Sequence, residues 1–202
     1  EQAHITPETV LNFWLGETRH SAAAMAVQSK LWYRSTPALD EQIRQRFGLI
    51  HELAASEKLA WEYSMPGTIA LIIVLDQFSR NMYRRSARAF EWDWLALELS
   101  VNLLESSDHL TLSPVEQVFV FHPLEHSESP DLQNLCVEKF TELHQSVSEE
   151  WRPHIADFLR HAEEHRDIIH RFGRFPHRNE VLGRESTAAE LEFLETARRF
   201  GQ

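Results

Sequence analysis

Between Arg171 and Asn179 the chain reads RFGRFPHRN, three arginines, a histidine and an asparagine set among two phenylalanines, a glycine and a proline. An arginine side chain is a planar fork of N–H donors that grips a carboxylate or phosphate through two parallel hydrogen bonds. Arg171, Arg174, Arg178 and Asn179 are therefore candidate anion ligands, and His177 is a candidate proton donor or acceptor. Gly173 suits the left-handed residue that ends a helix, and Pro176 blocks immediate resumption, so a turn anchored by Phe172 and Phe175 is expected here. The alternative is a loop stapled to its neighbours by arginine–carboxylate pairs, which needs no ligand.

Two further segments carry similar chemistry. The first is Asp76-Gln-Phe-Ser-Arg80-Asn81-Met-Tyr-Arg84, followed by Arg88. On one continuous helix Asp76, Arg80, Arg84 and Arg88 would share a face, with Asp76 pairing Arg80 and the later arginines left for an anion. A structural ion-pair network is the competing reading, of equal weight. The second is His122-Pro-Leu-Glu125-His126-Ser127-Glu128. A carboxylate beside a histidine fixes its tautomer and supports proton transfer, which makes His126 and Glu128 candidates, with Asp76 as the other possible orienting acid. His122 and His126, like His161 and His165, have the i, i+4 spacing of metal ligands. Pro123 is expected to break the helix between the first two, and neither an H-E-x-x-H nor a paired E-x-x-H pattern occurs, so no metal and no cofactor is expected. No nucleophile elbow or Gly-rich phosphate loop is present, and Cys136 reads as a packed thiol.

These side chains need helices to hold them. Thr6-Pro7, Thr36-Pro37, Ser113-Pro114 and Ser129-Pro130 each set a capping hydroxyl before a proline suited to the first helical turn. Ser113 with Glu116, and Thr187 with Glu190, have capping-box spacing. Apolar residues recur three or four apart in Ile43, Phe47, Ile50 and Leu53, and again in Ile155, Phe158, Leu159 and Ala162. The whole predicts an all-α chain of roughly seven to nine helices. Ile69 to Leu75 is rich in β-branched residues, but with helical spacing after it and no hairpin partner it reads as a buried helix. No linker or low-complexity tract divides the chain and no repeat of fixed period is evident, so residues 1–202 are expected to form one domain.

Composition narrows the partners. The net charge of -11 argues against a long polyanion such as nucleic acid. The cations are nevertheless 17 Arg against three Lys, and nine of the arginines fall in two segments, Arg80 to Arg88 and Arg166 to Arg184. That clustering points to a cleft-bound anion, although codon bias would also enrich arginine. The longest apolar run has seven residues, too few to span a bilayer, so no membrane partner is expected. With a single cysteine and no basic segment leading into an apolar one at the start, a cytoplasmic setting is expected.

Five motifs together resemble the DUF924 family: LDQFSRN at Leu75 to Asn81, ARAF at Ala87 to Phe90 with Asp93 after it, PLEHSE at Pro123 to Glu128 with Gln133 after it, RFGRFPHRN, and LGRES at Leu182 to Ser186. The resemblance runs from about Val10 to Leu194 and implies an all-α, TPR-like arrangement of antiparallel helices. Ser79 stands where the family usually has proline, and Arg85 where glycine is common. The family supplies no activity. From the residues, the leading expectation is that Arg80, Asn81, Arg84, Arg171, Arg174, Arg178 and Asn179 bind a small carboxylate or phosphate, with His126 or His177 moving a proton. A TPR-like groove for an acidic peptide is the alternative partner reading. An R-x4-6-H ribonuclease pattern, Arg171 with His177, ranks last because Gly173 and Pro176 interrupt it.

Overall fold

The expected caps all form. In the computed structural model, which describes residues 4–197 and Phe200, α1 (Pro7–Trp14), α3 (Pro37–Ala55), α7 (Pro114–Glu125) and α8 (Pro130–Ser146) start on the Thr-Pro or Ser-Pro pairs. The carboxylate of Glu116 accepts the Ser113 N–H at 3.1 Å, and that of Glu190 accepts the Thr187 N–H at 3.0 Å, so both capping boxes are closed. The other helical segments are α2 (Met25–Tyr33), α4 (Met65–Ile72), α5 (Ser79–Met82), α6 (Asp93–Glu105), α9 (Arg152–Phe172) and α10 (Ala188–Thr196). No strand occurs among the described residues, and the chain is all-α.

The apolar run Ile69–Leu75 is a helix, as its flanks suggest, and it lies at the centre of the core. Ile69, Ile73 and Val74 are wholly buried, and Phe47, Phe78, Phe119, Phe121 and Phe140 pack around them. Each such ring contributes roughly 1.5–3 kcal/mol of burial. Between α4 and α5 the helix does not stop but widens into a π-turn at Ile73–Phe78. Side chains occupy carbonyls along this turn: Ser79 Oγ donates to Leu75 O at 2.6 Å, and Arg80 Nη1 to Asp76 O at 2.9 Å. A π-turn re-aims the side chains that follow it. The rod then ends at Met82, and Arg85 adopts a left-handed conformation with φ of 62°. Asp76, Arg80, Arg84 and Arg88 therefore do not form one continuous helical face, contrary to the spacing argument.

Helices α7, α8 and α9 are joined by short connections and pack in succession, α7 on α8 and α8 on α9. Such neighbours run antiparallel, which leaves α7 and α9 parallel. Phe140 of α8 bridges them, with its ring centroid 5.2 Å from Phe121 and 6.3 Å from Phe158. This packing is compatible with a TPR-like arrangement. Pro123 does not break α7; it lies inside the helix, and the His126 N–H still reaches His122 O at 3.0 Å. Pro123 forgoes its own bond to Phe119 O and crowds that carbonyl, and the helix runs only two residues further, to Glu125. At the other end of the core, Gln28 and Trp32 of α2 both donate to Trp14 O at 2.8 Å. They satisfy a carbonyl that the end of α1 leaves open, and so fix the Trp32 ring. Cys136 is buried with Sγ 3.7 Å from Phe121 O, a packed thiol. No helix among the described residues is long and apolar enough to cross a membrane.

Candidate functional site

A cavity of about 480 Å³ opens where the end of α2, the π-turn with α5, helices α7 and α9, and the turn that carries His177 and Arg178 meet. That is within the size range of small-molecule sites, roughly 300–1,000 Å³. At its base Asp76, 1% exposed, accepts a 2.6 Å hydrogen bond from His126 Nδ1 and a 3.1 Å bond from Arg80 Nη1. Gln77 Nε2 donates to the other carboxylate oxygen at 2.7 Å. Arg80 also grips Asp93 with both terminal nitrogens, at 2.8 and 2.9 Å.

Burial and charge set the protonation states. Burial pushes the Asp76 carboxyl up, but His126 and Arg80 outweigh it and hold Asp76 below the ordinary carboxylate range. For His126, burial and then the Arg80 charge lower its pKa against the pull of Asp76, so the ring is neutral and its Nδ1–H is committed to the carboxylate. Glu125 is the opposite case. Burial, then the Asp76 charge, raises it to about 8, which keeps it a protonated acid at neutral pH. Its Oε1 lies 3.8 Å from His165 Nδ1.

Three of the histidines on the walls follow one rule. His122 Nδ1 donates to Val118 O at 2.9 Å, and His165 Nδ1 to His161 O at 2.7 Å, each back along its own helix. Burial, then the proximity of His126, takes His122 down to about 3 and His165 well below its ordinary value. Three neutral imidazoles, at 122, 126 and 165, thus spend Nδ1–H on the protein and leave Nε2 as an acceptor at the cavity. Among the described residues no three His, Cys, Asp or Glu side chains gather as a metal-holding group.

Arg178 stands apart from the other arginines. It is 7% exposed, sandwiched with its guanidinium 4.4 Å from the Phe90 ring centre and 4.6 Å from that of Phe175. Nη2 donates to His126 O at 3.0 Å and Nη1 is 4.0 Å from Asp93, but Nε is buried without a hydrogen-bond partner. Burial, then repulsion from Arg80, lowers its pKa to about 10. Next to it His177 Nδ1 is also buried and unpartnered, and burial followed by the Arg178 charge takes this ring to about 3.

Of the residues expected from sequence, Arg80, Asn81, Arg84, His126, His177 and Arg178 line the cavity, and Asp76 supports it from behind. Arg84 does so at the rim, paired with Asp40 at 2.8 Å, while Asn81 Nδ2 donates to the same carboxylate at 2.9 Å. Four residues lie elsewhere. Glu128 is held by both terminal nitrogens of Arg184, at 2.8 and 3.0 Å, and accepts the Phe175 N–H at 3.0 Å. It therefore braces the RFGRFPHRN turn and orients no histidine. Arg174 is paired twice with Glu190, and Asn179 bonds Ser186 and accepts from Arg184 Nε. Arg171 is exposed and lies over the Phe172 and Phe193 rings, away from His177 at the cavity. The turn is thus mostly the stapled loop of the alternative reading, with His177 and Arg178 as its two contributions to the site.

Glu125 and the aromatic wall were not expected from the sequence, and His161 and His165 were singled out there only for their metal-ligand spacing. The signal was present: F-x-x-H-x-x-E-H occurs at Phe119 to His126 and again at Phe158 to His165. The two copies fall on α7 and α9 and line the cavity together.

An all-α fold enclosing an arginine- and histidine-lined cavity is the class that these observations define. Within it, the chain belongs to the family described as "Bacterial protein of unknown function (DUF924)", whose profile matches residues 10–198. A solved structure of a protein of unknown function from Agrobacterium tumefaciens is similar, with 32% identity and a TM-score of 0.77 over 95% of this chain and 97% of that chain. No curated protein matches the chain.

Proposed function

We propose that the cavity binds a small molecule bearing a carboxylate or phosphate, with Arg178 as the principal anion ligand, and that His126 and Glu125 move a proton to or from it. The reading rests on the Arg178 guanidinium, which lines the cavity and whose Nη1 has, among the described residues, no carboxylate nearer than Asp93 at 4.0 Å. A largely desolvated guanidinium with a donor not committed to the protein is stabilised by an anion that supplies a charge-assisted hydrogen bond there. Proton transfer is supported by two groups pushed apart by their surroundings. Asp76 fixes the His126 tautomer while burial and the Arg80 charge keep the ring a neutral acceptor, and burial keeps Glu125 protonated as a donor.

The test is a thermal-shift and calorimetric screen of small carboxylates and phosphates on the wild type and Arg178→Met. The expected result is a set of acids that stabilise the wild type and lose that effect in the variant. Stabilisation that survives in Arg178→Met removes Arg178 from the site, and a wild type indifferent to every anion ends the proposal.

A further inference from the structure

The two F-x-x-H-x-x-E-H copies give the cavity a direction. On α7 the order is Phe119, His122, His126, and on α9 it is Phe158, His161, His165, the same intervals on parallel helices. The stripes lie side by side: His126 and His165, equivalent in the two copies, are 6.2 Å apart between ring centres, and His122 is 6.0 Å from Phe158. At the phenylalanine end Trp32 closes the wall, 5.0 Å from Phe119 and 6.4 Å from Phe158. At the other end, beyond His126, lies Arg178, whose Nη2 donates to the His126 carbonyl. From Phe119 to His126 is seven residues, about 10 Å of helix at a rise of roughly 1.5 Å per residue.

We infer, on the footing of the anion site proposed above, that the ligand is a ring-bearing acid. Its anionic group meets Arg178, its planar ring lies among Trp32, Phe119 and Phe158, and hydroxyl or amino groups between them donate to the histidine Nε2 atoms. Each part follows from what its stretch of wall offers. Aromatic faces at right angles or tilted to one another accept a further ring at their edges. Neutral imidazoles with Nδ1–H already committed are acceptors only, so what they bind there is a donor. A ringless anion would leave the aromatic end of a 480 Å³ cavity to water.

Calorimetric titration with four probes separates the parts: 3-phenyllactate, which has ring, hydroxyl and carboxylate; lactate and inorganic phosphate, which lack the ring; and 3-phenylpropane-1,2-diol, which lacks the anion. The expected order puts 3-phenyllactate at least about tenfold tighter than each of the other three, a ring contact being worth roughly that factor against lactate and phosphate, and a charge-assisted hydrogen bond to Arg178 roughly that factor against the diol. Phe158→Leu, checked for an intact melting transition, should weaken 3-phenyllactate and leave lactate unchanged. Quenching of tryptophan fluorescence by 3-phenyllactate in the wild type supplies a readout that needs no variant. Lactate or phosphate binding as tightly as 3-phenyllactate overturns the ring assignment while the anion site stands. The diol binding as tightly as the acid overturns the anion site as well, and so does the absence of binding by all four.

Discussion

His126 Nδ1 and Asp76 Oδ1 are joined by a 2.6 Å hydrogen bond between residues fifty positions apart. The bond connects the end of α7 to the π-turn, and it explains why the most apolar helix of the chain carries a carboxylate at a wholly buried position. A charge there is tolerable only because Arg80, Gln77 and His126 all donate to it. The same contact fixes the His126 tautomer, so packing and chemistry depend on one carboxylate.

Asp76→Asn should therefore cost on the order of 3 kcal/mol, the usual penalty for removing one member of a buried charged cluster. Urea denaturation of the two proteins at neutral pH measures it. Because the folded pKa of Asp76 lies below its ordinary 3.8, its contribution is fully present above about pH 4 and is lost as the pH falls further. The gap between wild type and variant should accordingly narrow in acid. A gap that is constant down to the lowest pH at which both fold would mean that the carboxylate is not ionised in the native protein.

Glu125 predicts a slope of the other sign. Its pKa of about 8, against 4.5, lets the native state hold a proton that the unfolded chain has released, so stability falls as pH rises between those values. His122 and His177, held at about 3 against 6.5, act oppositely, and their contribution is lost as pH falls through that window. The wild type should be most stable near about pH 6.5. Glu125→Gln copies the protonated acid and removes the alkaline slope: similar to wild type at about pH 5, it should be more stable by at least ~1 kcal/mol at about pH 8.5. Thermal melts across pH decide this, and parallel curves would count against a protonated Glu125.

How much of this was legible in the sequence follows from how local each signal is. The caps at Thr6, Thr36, Ser113 and Ser129 act within one turn of their own residues, and all four formed as expected. The helix stop at Gly173 is local too, with φ of 72°. The partners of charged groups are not local. Nothing near Glu128 in the sequence indicates that Arg184 will hold it, and Asp93 is reached by Arg80 only because the chain turns back after Met82. The π-turn, set by side-chain donors to Leu75 O and Asp76 O, has no periodicity to reveal it. The histidine stripes were visible as a repeated motif, yet their meaning required knowing that α7 and α9 lie side by side.

Gly67 links the fold to the site at a single atom. A Cβ built there would stand 1.9 Å from Trp61 O, a backbone carbonyl that cannot swing aside, at the start of the helix that carries Asp76. Gly67→Ala should destabilise the protein by about 3 kcal/mol or more, at the severe end of overpacking. Gly48→Ala is the internal control. Inside α3 with nothing within 4 Å of its Cβ position, it should stabilise by about 0.5–1 kcal/mol through helix propensity alone. Denaturation midpoints of the pair test both, and equal effects would refute the clash.

Arg174 and Arg178 come from the same turn and should part company in every binding experiment. Arg174 donates to Glu190 through Nε and Nη2 and to Glu185 O, so its donors are directed at the loop and at α10. Glu190 is in turn the acid of the Thr187 capping box, which makes Arg174→Ala a change in how α10 is docked. Its expected signature is a lower melting temperature with ligand-induced shifts of wild-type size. Arg178→Met should show the reverse pattern: the buried Nε without a partner is removed, a methionine side chain fills the space between the Phe90 and Phe175 rings, and the anion-dependent shift disappears. If Arg174→Ala abolishes the shift while Arg178→Met keeps it, the anion is held by the exposed side of the turn and the cavity is not its site.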